Sequence, residues 1–249
     1  TIYEFWQKQA EKGKNTGTKD VLLDALEQEV IQKNFSPNTK VLEIGCGDGR
    51  NAINLAKKKN VDMHAFDFSE NMIKLAKLNA STENTKVNFF TYDIYKIEKI
   101  KEKFQVIISK RALINLSSTD EQKKTLSKIS NLLECNGIYL MCESSLQGLE
   151  KINIIRKKIG LNEINKPWHN VYIDEEEING KTSSSFKLKL VSRIDFTSTY
   201  YFLSRIVNAK IAEINGYEPK YDSDINKLAL SIESFGDIGQ TILWKWKKV

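Results

Sequence analysis

Short apolar runs alternate with amphipathic stretches between residues 40 and 144, as strands alternate with helices in an α/β protein. Five strands are predicted by the runs "KVLEIG", "VDMHAFD", "KVNFFTYD", "FQVIIS" and "IYLMCES". Helices are predicted by the intervening "RNAINLAKKKN", "SENMIKLAKLNA" and "STDEQKKTLSKISNLLECNG". Asn60 can end the first helix, Ser69 can cap the second, and Gly137 can close the third. This order indicates a doubly wound, mostly parallel sheet with helices on both faces.

The flanking segments complete this picture. Apolar positions in residues 20–34 form a helical face, and residues 146–182 contain a helix, the loop "PWHNVYIDEEE" and a short segment. "FKLKLVSRIDF" and "GQTILWKWKKV" alternate as half-buried strands do, with a helix near 203–216 between them. We therefore expect seven strands in one Rossmann-like domain over residues 1–249. Its parts would be an N-terminal helical cap (1–35), a ligand-binding core (36–145), a lid inserted after the fifth strand (146–182), and closing strands with a helix (183–249).

The amino-acid composition excludes some classes of protein but does not identify a reaction. The 249 residues carry a net charge of +6, and the basic residues are spread along the chain, which is compatible with anionic small molecules or weak nucleic-acid contact. The three cysteines lack C-x-x-C spacing, so neither a zinc site nor a disulfide framework is indicated. No apolar run reaches the length of a membrane span, and the first residues lack the apolar region of a signal peptide. A cytoplasmic protein without a bound metal is expected.

The stretch "VLEIGCGDGRN" is the first chemical signal, because three glycines spaced G-x-G-x-G follow a buried strand. A dinucleotide site requires G-x-G-x-x-G, but Arg50 occupies the third glycine position. The P-loop pattern G-x-x-x-x-G-K-[ST] is absent from the sequence. Asp67 ends the next strand 20 residues after Gly47, at a spacing suited to ribose hydroxyls. These features indicate a nucleoside ligand without a demanding phosphate group.

With these motifs the chain resembles the class I S-adenosylmethionine (SAM)-dependent methyltransferases. "LEIGCGDG" is similar to the first motif of that family, "FDFSENMI" to the second and "TYDI" to the third. The resemblance covers about residues 40–145. It implies that SAM is the cofactor, S-adenosylhomocysteine (SAH) the product, and methyl transfer the reaction.

The resemblance also implies roles for individual residues. Asp67 would hold the ribose, Phe68 and Met72 would pack near the adenine, and Asp93 would accept from the adenine amino group. The segment after the fourth strand would line the methyl-donor end, and an aromatic N-terminal segment would fold over the cofactor. The implied cofactor contacts are Trp6, Glu43, Gly45, Cys46, Gly47, Asp67, Phe68, Met72, Tyr92, Asp93, Ile94, Ser109 and Arg111.

The acceptor site is expected under the lid. His169 lies in an aromatic, uncharged cluster and is the candidate general base, a role that contributes about 10²–10⁴-fold when an alcohol is methylated. The alternative is a surface-loop histidine beside an anchoring Trp168. The expected acceptor contacts are Lys110, Arg111, Asn115, Trp168, Asn170 and Tyr172.

Two absences narrow the acceptor class. The sequence "SKRA" follows the fourth strand where amino-methylating relatives carry [DNS]-P-P-[YFW], and no Pro-Cys pair suits attack on a pyrimidine. By analogy with the family, we expect an anionic or sugar-like small molecule, such as a sugar, nucleotide sugar or phosphorylated metabolite of bacterial surface polysaccharide, methylated on oxygen. Nucleic acid is disfavoured. An RNA methyltransferase, suggested by the positive charge, and a SAM-binding partner without catalysis stay open.

Overall fold

The computed structural model describes residues 2–11, 18–179 and 186–249. The strands in chain order are Lys40–Ile44 (β1), Asp62–Asp67 (β2), Asn88–Thr91 (β3), Phe104–Lys110 (β4), Leu133–Ser144 (β5), Leu188–Ile194 (β6) and Thr241–Lys248 (β7). The α-helices in chain order are Ile2–Ala10 (α1), Val21–Lys33 (α2), Arg50–Lys59 (α3), Glu70–Thr82 (α4), Thr119–Leu132 (α5), Leu146–Lys158 (α6), Glu175–Asn179 (α7), Ser198–Tyr201 (α8), Asn208–Ile214 (α9) and Asp224–Ala229 (α10). A π-helix at Phe202–Val207 joins α8 to α9, and 3₁₀ turns lie at Ile94–Lys99 and Leu113–Asn115.

All seven strands belong to one sheet with the order β3-β2-β1-β4-β5-β7-β6. β1 to β5 are parallel, and β7 is inserted antiparallel between β5 and β6. The predicted α/β architecture, with a mostly parallel doubly wound sheet of seven strands, is confirmed. Asn60 and Ser69 end α3 and begin α4 as predicted, and the Ser69 hydroxyl accepts a hydrogen bond from the Met72 amide.

Alternation along each strand divides the apolar core between the two faces. On β1, Val41 packs with α2, α3 and α4, while Leu42 and Ile44 face the side that holds α5. On β4, Val106 and Ile107 divide in the same way. Because both faces are covered, the central strands read as continuous apolar runs rather than as alternating ones.

The end of α5 differs from the prediction. The helix stops at Leu132, and Gly137 lies inside β5 instead of closing the helix. The pairing of β4 with β5 shifts register between Phe104 and Val106, and Asn136 rather than Gly137 takes a left-handed backbone (φ 61°). Burial of the leucines at 132 and 133 in the sheet core outweighs the helical pattern that precedes them.

The closing strands form as predicted, but β7 is more buried than its alternating pattern suggested. Trp244 and Trp246 are fully buried, because β7 is an interior strand. One face of β7 packs in the core beneath α5, and the other packs in the core beneath α2. Helix forms near 203–216 as expected, although part of it is the π-helix, and α10 was not predicted.

The segment predicted as a lid (146–182) begins with α6 and includes α7. Its last residues, 180–182, lie outside the described residues. Between these helices the chain runs past the carboxyl ends of β4 and β5. The Val171 amide donates to the Ile114 carbonyl at 2.7 Å and the Ile173 amide to the Ser144 carbonyl at 2.8 Å. None of the described helices has the length and apolar character required to cross a bilayer.

Candidate functional site

A cavity of about 460 Å³ lies at the carboxyl ends of the parallel strands, between β1 and β4. Its volume falls within the range of about 300–1,000 Å³ typical of ligand pockets. The chain leaves β1 toward α3 on one face and β4 toward α5 on the other, so the cavity occupies the switch point of the sheet. Its walls are Ile2, Tyr3, Trp6, Thr18, Asp24, Glu43, Ile44, Gly45, Cys46, Gly47, Asp48, Arg50, Asn51, Phe66, Asp67, Phe68, Met72, Tyr92, Asp93, Ile94, Tyr95, Lys110, Arg111, Ala112, Asn115 and Leu116.

The three glycines after β1 all have positive φ, and each serves the site differently. A Cβ on Gly45 would lie 2.6 Å from the Cβ of Ala112, so glycine allows the turn after β1 to contact the loop after β4. A Cβ on Gly49 would lie 2.7 Å from the ring of Phe89. A Cβ on Gly47 would meet no atom within 4 Å. Gly45 and Gly49 therefore permit close packing, and Gly47 leaves bare backbone at the cavity.

Asp67 ends β2 at the cavity wall and is buried. One carboxylate oxygen accepts from the Gly47 amide at 3.0 Å and the other from the Ser69 amide at 2.9 Å. Burial raises the pKa of Asp67 to about 6, and the amides of Ser69 and Gly47 counteract part of this rise. These bonds fix the carboxylate between the glycine turn and α4, where its remaining lone pairs can accept from hydroxyl groups.

The residues predicted to surround an adenine ring all line the cavity. They come from the segments that follow β2 and β3: Phe68, Met72, Tyr92, Asp93 and Ile94. Asp93 caps the 3₁₀ turn that follows, because one of its oxygens accepts from the Tyr95 amide at 2.9 Å. The structure thus brings an acid and a set of apolar side chains to one cavity, as a purine with an exocyclic amino group requires.

Glu43 and Asn51 provide unpaired acceptors at the same cavity. The Asn51 amide nitrogen donates to one Glu43 oxygen at 2.9 Å. The other Glu43 oxygen and the Asn51 carbonyl oxygen are buried, and neither has a hydrogen-bond partner among the described residues. Burial raises the pKa of Glu43 to about 7. A ligand ammonium could donate to both of these oxygens, and the amino-acid part of SAM carries such a group.

A buried network of charges connects α2 to the loop after β4. Asp24 accepts from Lys110, and it forms ion pairs at 3.2 Å with both Arg50 and Arg111. Glu27 lies behind it, 3.2 Å from Arg111 and 3.6 Å from Lys110. Burial by itself would raise the pKa of Asp24, but the three cations outweigh it and hold the pKa below its usual value. Lys110 and Arg111 are therefore held against α2 at the cavity wall.

The described residues of the cavity wall are acidic overall, although the whole chain is basic. The acids are Asp24, Glu43, Asp48, Asp67 and Asp93, and the cations are Arg50, Lys110 and Arg111. The formal charge of this wall is therefore −2, within a chain of charge +6. Such a cavity favours a cationic ligand over an anionic one.

Helix α1 covers the cavity and contributes Ile2, Tyr3 and Trp6 to its wall. The Tyr3 ring lies 5.7 Å from the ring of Phe68, and the Trp6 indole nitrogen donates to Asn115 at 3.2 Å. Trp6, predicted as a cofactor contact, and Asn115, predicted as an acceptor contact, thus both line the cavity. A cover of this kind excludes water from a reacting centre.

Ser109 does not line the cavity, contrary to its expected place among the cofactor contacts. Its hydroxyl is fully buried and is bonded to Tyr139 at 2.7 Å and to Glu143 at 2.8 Å. Strand alternation explains the difference, because Ser109, the penultimate residue of β4, points toward the face of the sheet that α5 covers. Cys46 does line the cavity, and burial raises the pKa of its thiol well above the usual value.

The lid residues also lie outside the cavity wall. The His169 ring packs against Phe5 at 4.3 Å and meets the edge of Trp6 at 5.8 Å, so it contacts α1. Trp168 is 71% exposed. Asn170 donates to Asn115 at 3.1 Å.

Tyr172 is buried, and its hydroxyl accepts from Gln240 at 3.0 Å. The structure therefore brings Asn170 and His169 to cavity residues, Asn115 and Trp6, but none of Trp168, His169 and Tyr172 itself lines the cavity. The position of these three residues gives no support to their expected contacts with the acceptor.

Sequence reasoning missed several wall residues, chiefly Asp24, Arg50, Ala112 and Tyr3. One signal was available for Asp24, because Asp20, Asp24 and Glu27 share one face of α2 by helical spacing and all three are buried. Acids grouped on the buried side of a helix require cations nearby. The other residues reach the cavity from separate elements, and no local pattern marked them.

The sheet and the cavity together define an α/β protein with a ligand-sized cavity, lined by acids and apolar side chains, at the carboxyl ends of its parallel strands. A family model described as a methyltransferase domain matches residues 35–187, which is more than half of the chain. The chain therefore belongs to this methyltransferase domain family. The resemblance to class I SAM-dependent methyltransferases is confirmed, and with it SAM as the cofactor of the family.

Individual relatives are similar over part of the chain. Carboxy-S-adenosyl-L-methionine synthase of Nautilia profundicola is 34% identical over 127 residues, which are 50% of this chain and 53% of the relative. The human eEF1A lysine and N-terminal methyltransferase is 31% identical over 138 residues, 53% of this chain and 19% of the relative. The chain thus spans about half the length of the first relative and less of the second.

Among solved structures, the N-methyltransferase NodS of Bradyrhizobium japonicum with SAH superposes with a TM-score of 0.62. It is 12% identical, and the alignment covers 99% of this chain and 98% of that one. At this identity the likeness establishes the fold alone.

The raised pKa values predict a pH dependence of SAM binding. Asp67 and Glu43 attract a ligand ammonium and accept strong, charge-assisted hydrogen bonds from ligand donors only when they are ionised, and their pKa values are about 6 and about 7. Protons are therefore released on binding between about pH 5 and 7, and the affinity for SAM falls as the pH is lowered from 8 to 5.5. Calorimetry in buffers of different ionisation enthalpy measures both the affinity and the released protons.

The sign is opposite for folding of the free protein. Both carboxyls bind protons more tightly in the folded protein than at their ordinary pKa values of 3.8 and 4.5, so their ionisation destabilises the fold as the pH rises.

Adenosine, which has no ammonium, serves as the control ligand for the binding experiment. Its affinity should depend on pH only through the pKa of Asp67, which is about 6. A SAM affinity that stays constant from pH 5.5 to 8 would contradict these assignments.

Proposed function

We propose that the chain transfers the methyl group of SAM to a small-molecule acceptor that enters the same cavity. The observation that carries the proposal is the acidic cavity at the switch point, which offers Asp67, Asp93 and the unpaired acceptors of Glu43 and Asn51 to the three polar parts of the cofactor. Methyl transfer is a displacement at a sulfonium carbon, so the main work of the protein is to align acceptor and donor. The cover formed by α1 supports the exclusion of water that such a reaction needs.

The placement of the cofactor follows from the polar groups of the wall. In this proposal Asp67 accepts from the ribose hydroxyls and Asp93 accepts from the adenine amino group. Glu43 and Asn51 accept from the ammonium group. The methyl group then points toward the loop after β4, where Lys110, Arg111 and Asn115 line the cavity.

The charge of the wall favours a neutral acceptor over an anionic one. Arg50, Lys110 and Arg111 are the cations of the described wall, and each is in an ion pair with Asp24. A phosphate or carboxylate would have to displace Asp24 from one of them. We therefore propose a hydroxyl oxygen of a neutral sugar as the methylated atom. Asn115 and Thr18 line the cavity as neutral partners for such an acceptor, and a wall carboxylate can take the proton that the hydroxyl loses on methylation.

His169 tests the geometry of this proposal. Its ring packs on Phe5 and lies outside the cavity wall, so His169→Ala is expected to leave turnover within a factor of a few rather than to lower it by the roughly 10²-fold that loss of a general base causes. The measurement is the initial rate of methyl transfer at saturating SAM.

The matched control is Trp168→Ala, which removes an exposed neighbour of the same loop. If His169→Ala lowers turnover at least 10²-fold while Trp168→Ala does not, His169 reaches the substrate in a state that differs from this one, and the base role stands.

The function itself is tested with methyl-labelled SAM and fractionated cell extract. We expect the label to enter the small-molecule or glycan fraction, and to enter it more slowly with the Asp67→Ala variant at a SAM concentration that does not saturate this variant. Label that enters RNA would establish the RNA methyltransferase alternative, and label in protein would place the acceptor with that of the lysine-methylating relative. SAM binding without label in any fraction would contradict the proposed transfer and favour a non-catalytic binding partner.

A further inference from the structure

Glu143 lies at the end of β5, next to β4 in the sheet, and is fully buried. One of its carboxylate oxygens accepts from the amides of Ala112 at 3.1 Å and Leu113 at 3.0 Å, and from the Ser109 hydroxyl at 2.8 Å. The other oxygen accepts from the Ile114 amide at 3.4 Å. A single carboxylate therefore takes three consecutive amides of the loop after β4.

This loop is the wall of the cavity at the proposed methyl-donor end. It carries cavity residues from Lys110 to Leu116. Arg111 in this loop has a left-handed backbone (φ 53°), which is unfavourable for a residue with a side chain and persists only where the surroundings impose it. Ala112 lies against Gly45, so a displacement of the loop changes the width of the cavity between β1 and β4.

The three amides depend on Glu143 for their hydrogen bonds. Buried amide groups without a partner are costly, and bonds to an ionised acceptor are stronger than bonds to a neutral one. Burial raises the pKa of Glu143 to about 7, while the Leu113 amide, the Ser109 hydroxyl and the other loop amides counteract the rise. These donors thus bind the ionised carboxylate in preference to the neutral acid.

We propose that Glu143 is a positioning residue, which holds the loop after β4 in the conformation that shapes the methyl-donor end of the cavity. The inference rests on the proposed function for the identity of that end, but the link between Glu143 and the loop does not depend on any ligand. Glu143 itself does not line the cavity. Its effect on a ligand is therefore exerted through the loop.

The test compares Glu143→Gln with the matched control Glu175→Gln. Glutamine keeps the shape of the side chain but presents an NH₂ group to an amide that needs an acceptor. Glu175 also lies near the end of β5, where it pairs with Arg193 and accepts from Ser145, and among the described residues no hydrogen bond or ion pair joins it to the loop. Hydrogen exchange is measured on peptides that cover 109–116 and 62–72 in the protein without ligand, and affinities for SAM and adenosine are measured by calorimetry.

In the Glu143→Gln protein, exchange at 109–116 is expected to accelerate at least tenfold while exchange at 62–72 stays unchanged. SAM affinity is expected to fall about tenfold and adenosine affinity less than twofold, because adenosine does not reach the methyl-donor end. A general loss of structure would lower both affinities together. If Glu143→Gln does not fold, Glu143→Asp, which keeps the charge but is one methylene too short to reach all three amides, carries the same comparison.

Two outcomes overturn the inference: unchanged exchange at 109–116, or equal losses of SAM and adenosine affinity. Failure of the proposed function looks different. In that case the unsubstituted protein binds neither SAM nor adenosine, and the exchange comparison still decides whether Glu143 holds the loop.

Discussion

Alanine in place of Asp67 is expected to weaken the binding of SAM by about 1.5–3 kcal/mol, which is the range for loss of a hydrogen bond to a charged group and equals roughly 10- to 150-fold in affinity. The carboxylate is buried at the cavity wall and is fixed by the amides of Gly47 and Ser69. Its loss removes the acceptor for the ribose and also releases the glycine turn. Calorimetry with SAM and SAH measures the change, and both ligands should lose affinity equally because both contain the ribose.

Asp62→Ala is the control for this substitution, because Asp62 begins the same strand and is exposed. It should leave the affinity within a factor of two. Asp67→Asn separates charge from shape: the amide keeps one acceptor oxygen, so a smaller loss is expected than with alanine. If Asp67→Ala binds SAM as tightly as the unsubstituted protein does, the placement of the ribose at β2 is wrong.

Gly49→Ala is expected to lower the free energy of unfolding by about 2–5 kcal/mol. The left-handed backbone (φ 77°) accounts for about 1–2 kcal/mol of this loss. The new methyl group would lie 2.7 Å from the ring of Phe89 and 2.8 Å from the Cβ of Ala76, and such overpacking adds about 1–3 kcal/mol. Urea denaturation measures the loss as a lower midpoint with an unchanged m-value.

Gly47→Ala provides the comparison within the same turn. Its backbone is also left-handed (φ 53°), but the new methyl group would meet no atom within 4 Å, so only the strain of about 1–2 kcal/mol applies to folding. The methyl group would project beside the cavity, and SAM affinity should fall more than stability does. If the two variants lose equal stability, a clash with Phe89 is not the reason that position 49 requires glycine.

The sequence was sufficient for the fold where pattern and burial agree. β1, β2 and β4 are buried on both faces, so their apolar runs stand out from the amphipathic helices between them. Prediction failed at the end of α5, where the helical pattern continues through Leu132 and only the pairing of Leu133 with Phe104 makes the next residues a strand. That pairing is a contact between distant segments and leaves no local mark in the sequence.

Some residues of the candidate site could likewise be predicted from the sequence, and others could not. Gly45, Gly47 and Asp67 could be found from the sequence because they follow consecutive strands, whose carboxyl ends meet at one edge. Asp24 reaches the cavity from a helix outside this repeat and was not found. The role of His169 stays a prediction, because its ring packs against Phe5 and Trp6 of α1 and does not itself line the cavity.

The contrast between an acidic cavity and a basic chain bears on turnover. SAM carries a net positive charge, whereas SAH, which has lost the sulfonium, is neutral overall. With a wall of formal charge −2, each methyl transfer removes part of the electrostatic attraction that retains the nucleoside. Electrostatics therefore favours exchange of spent for fresh cofactor, and this preference of the cavity for SAM over SAH narrows as added salt screens the wall.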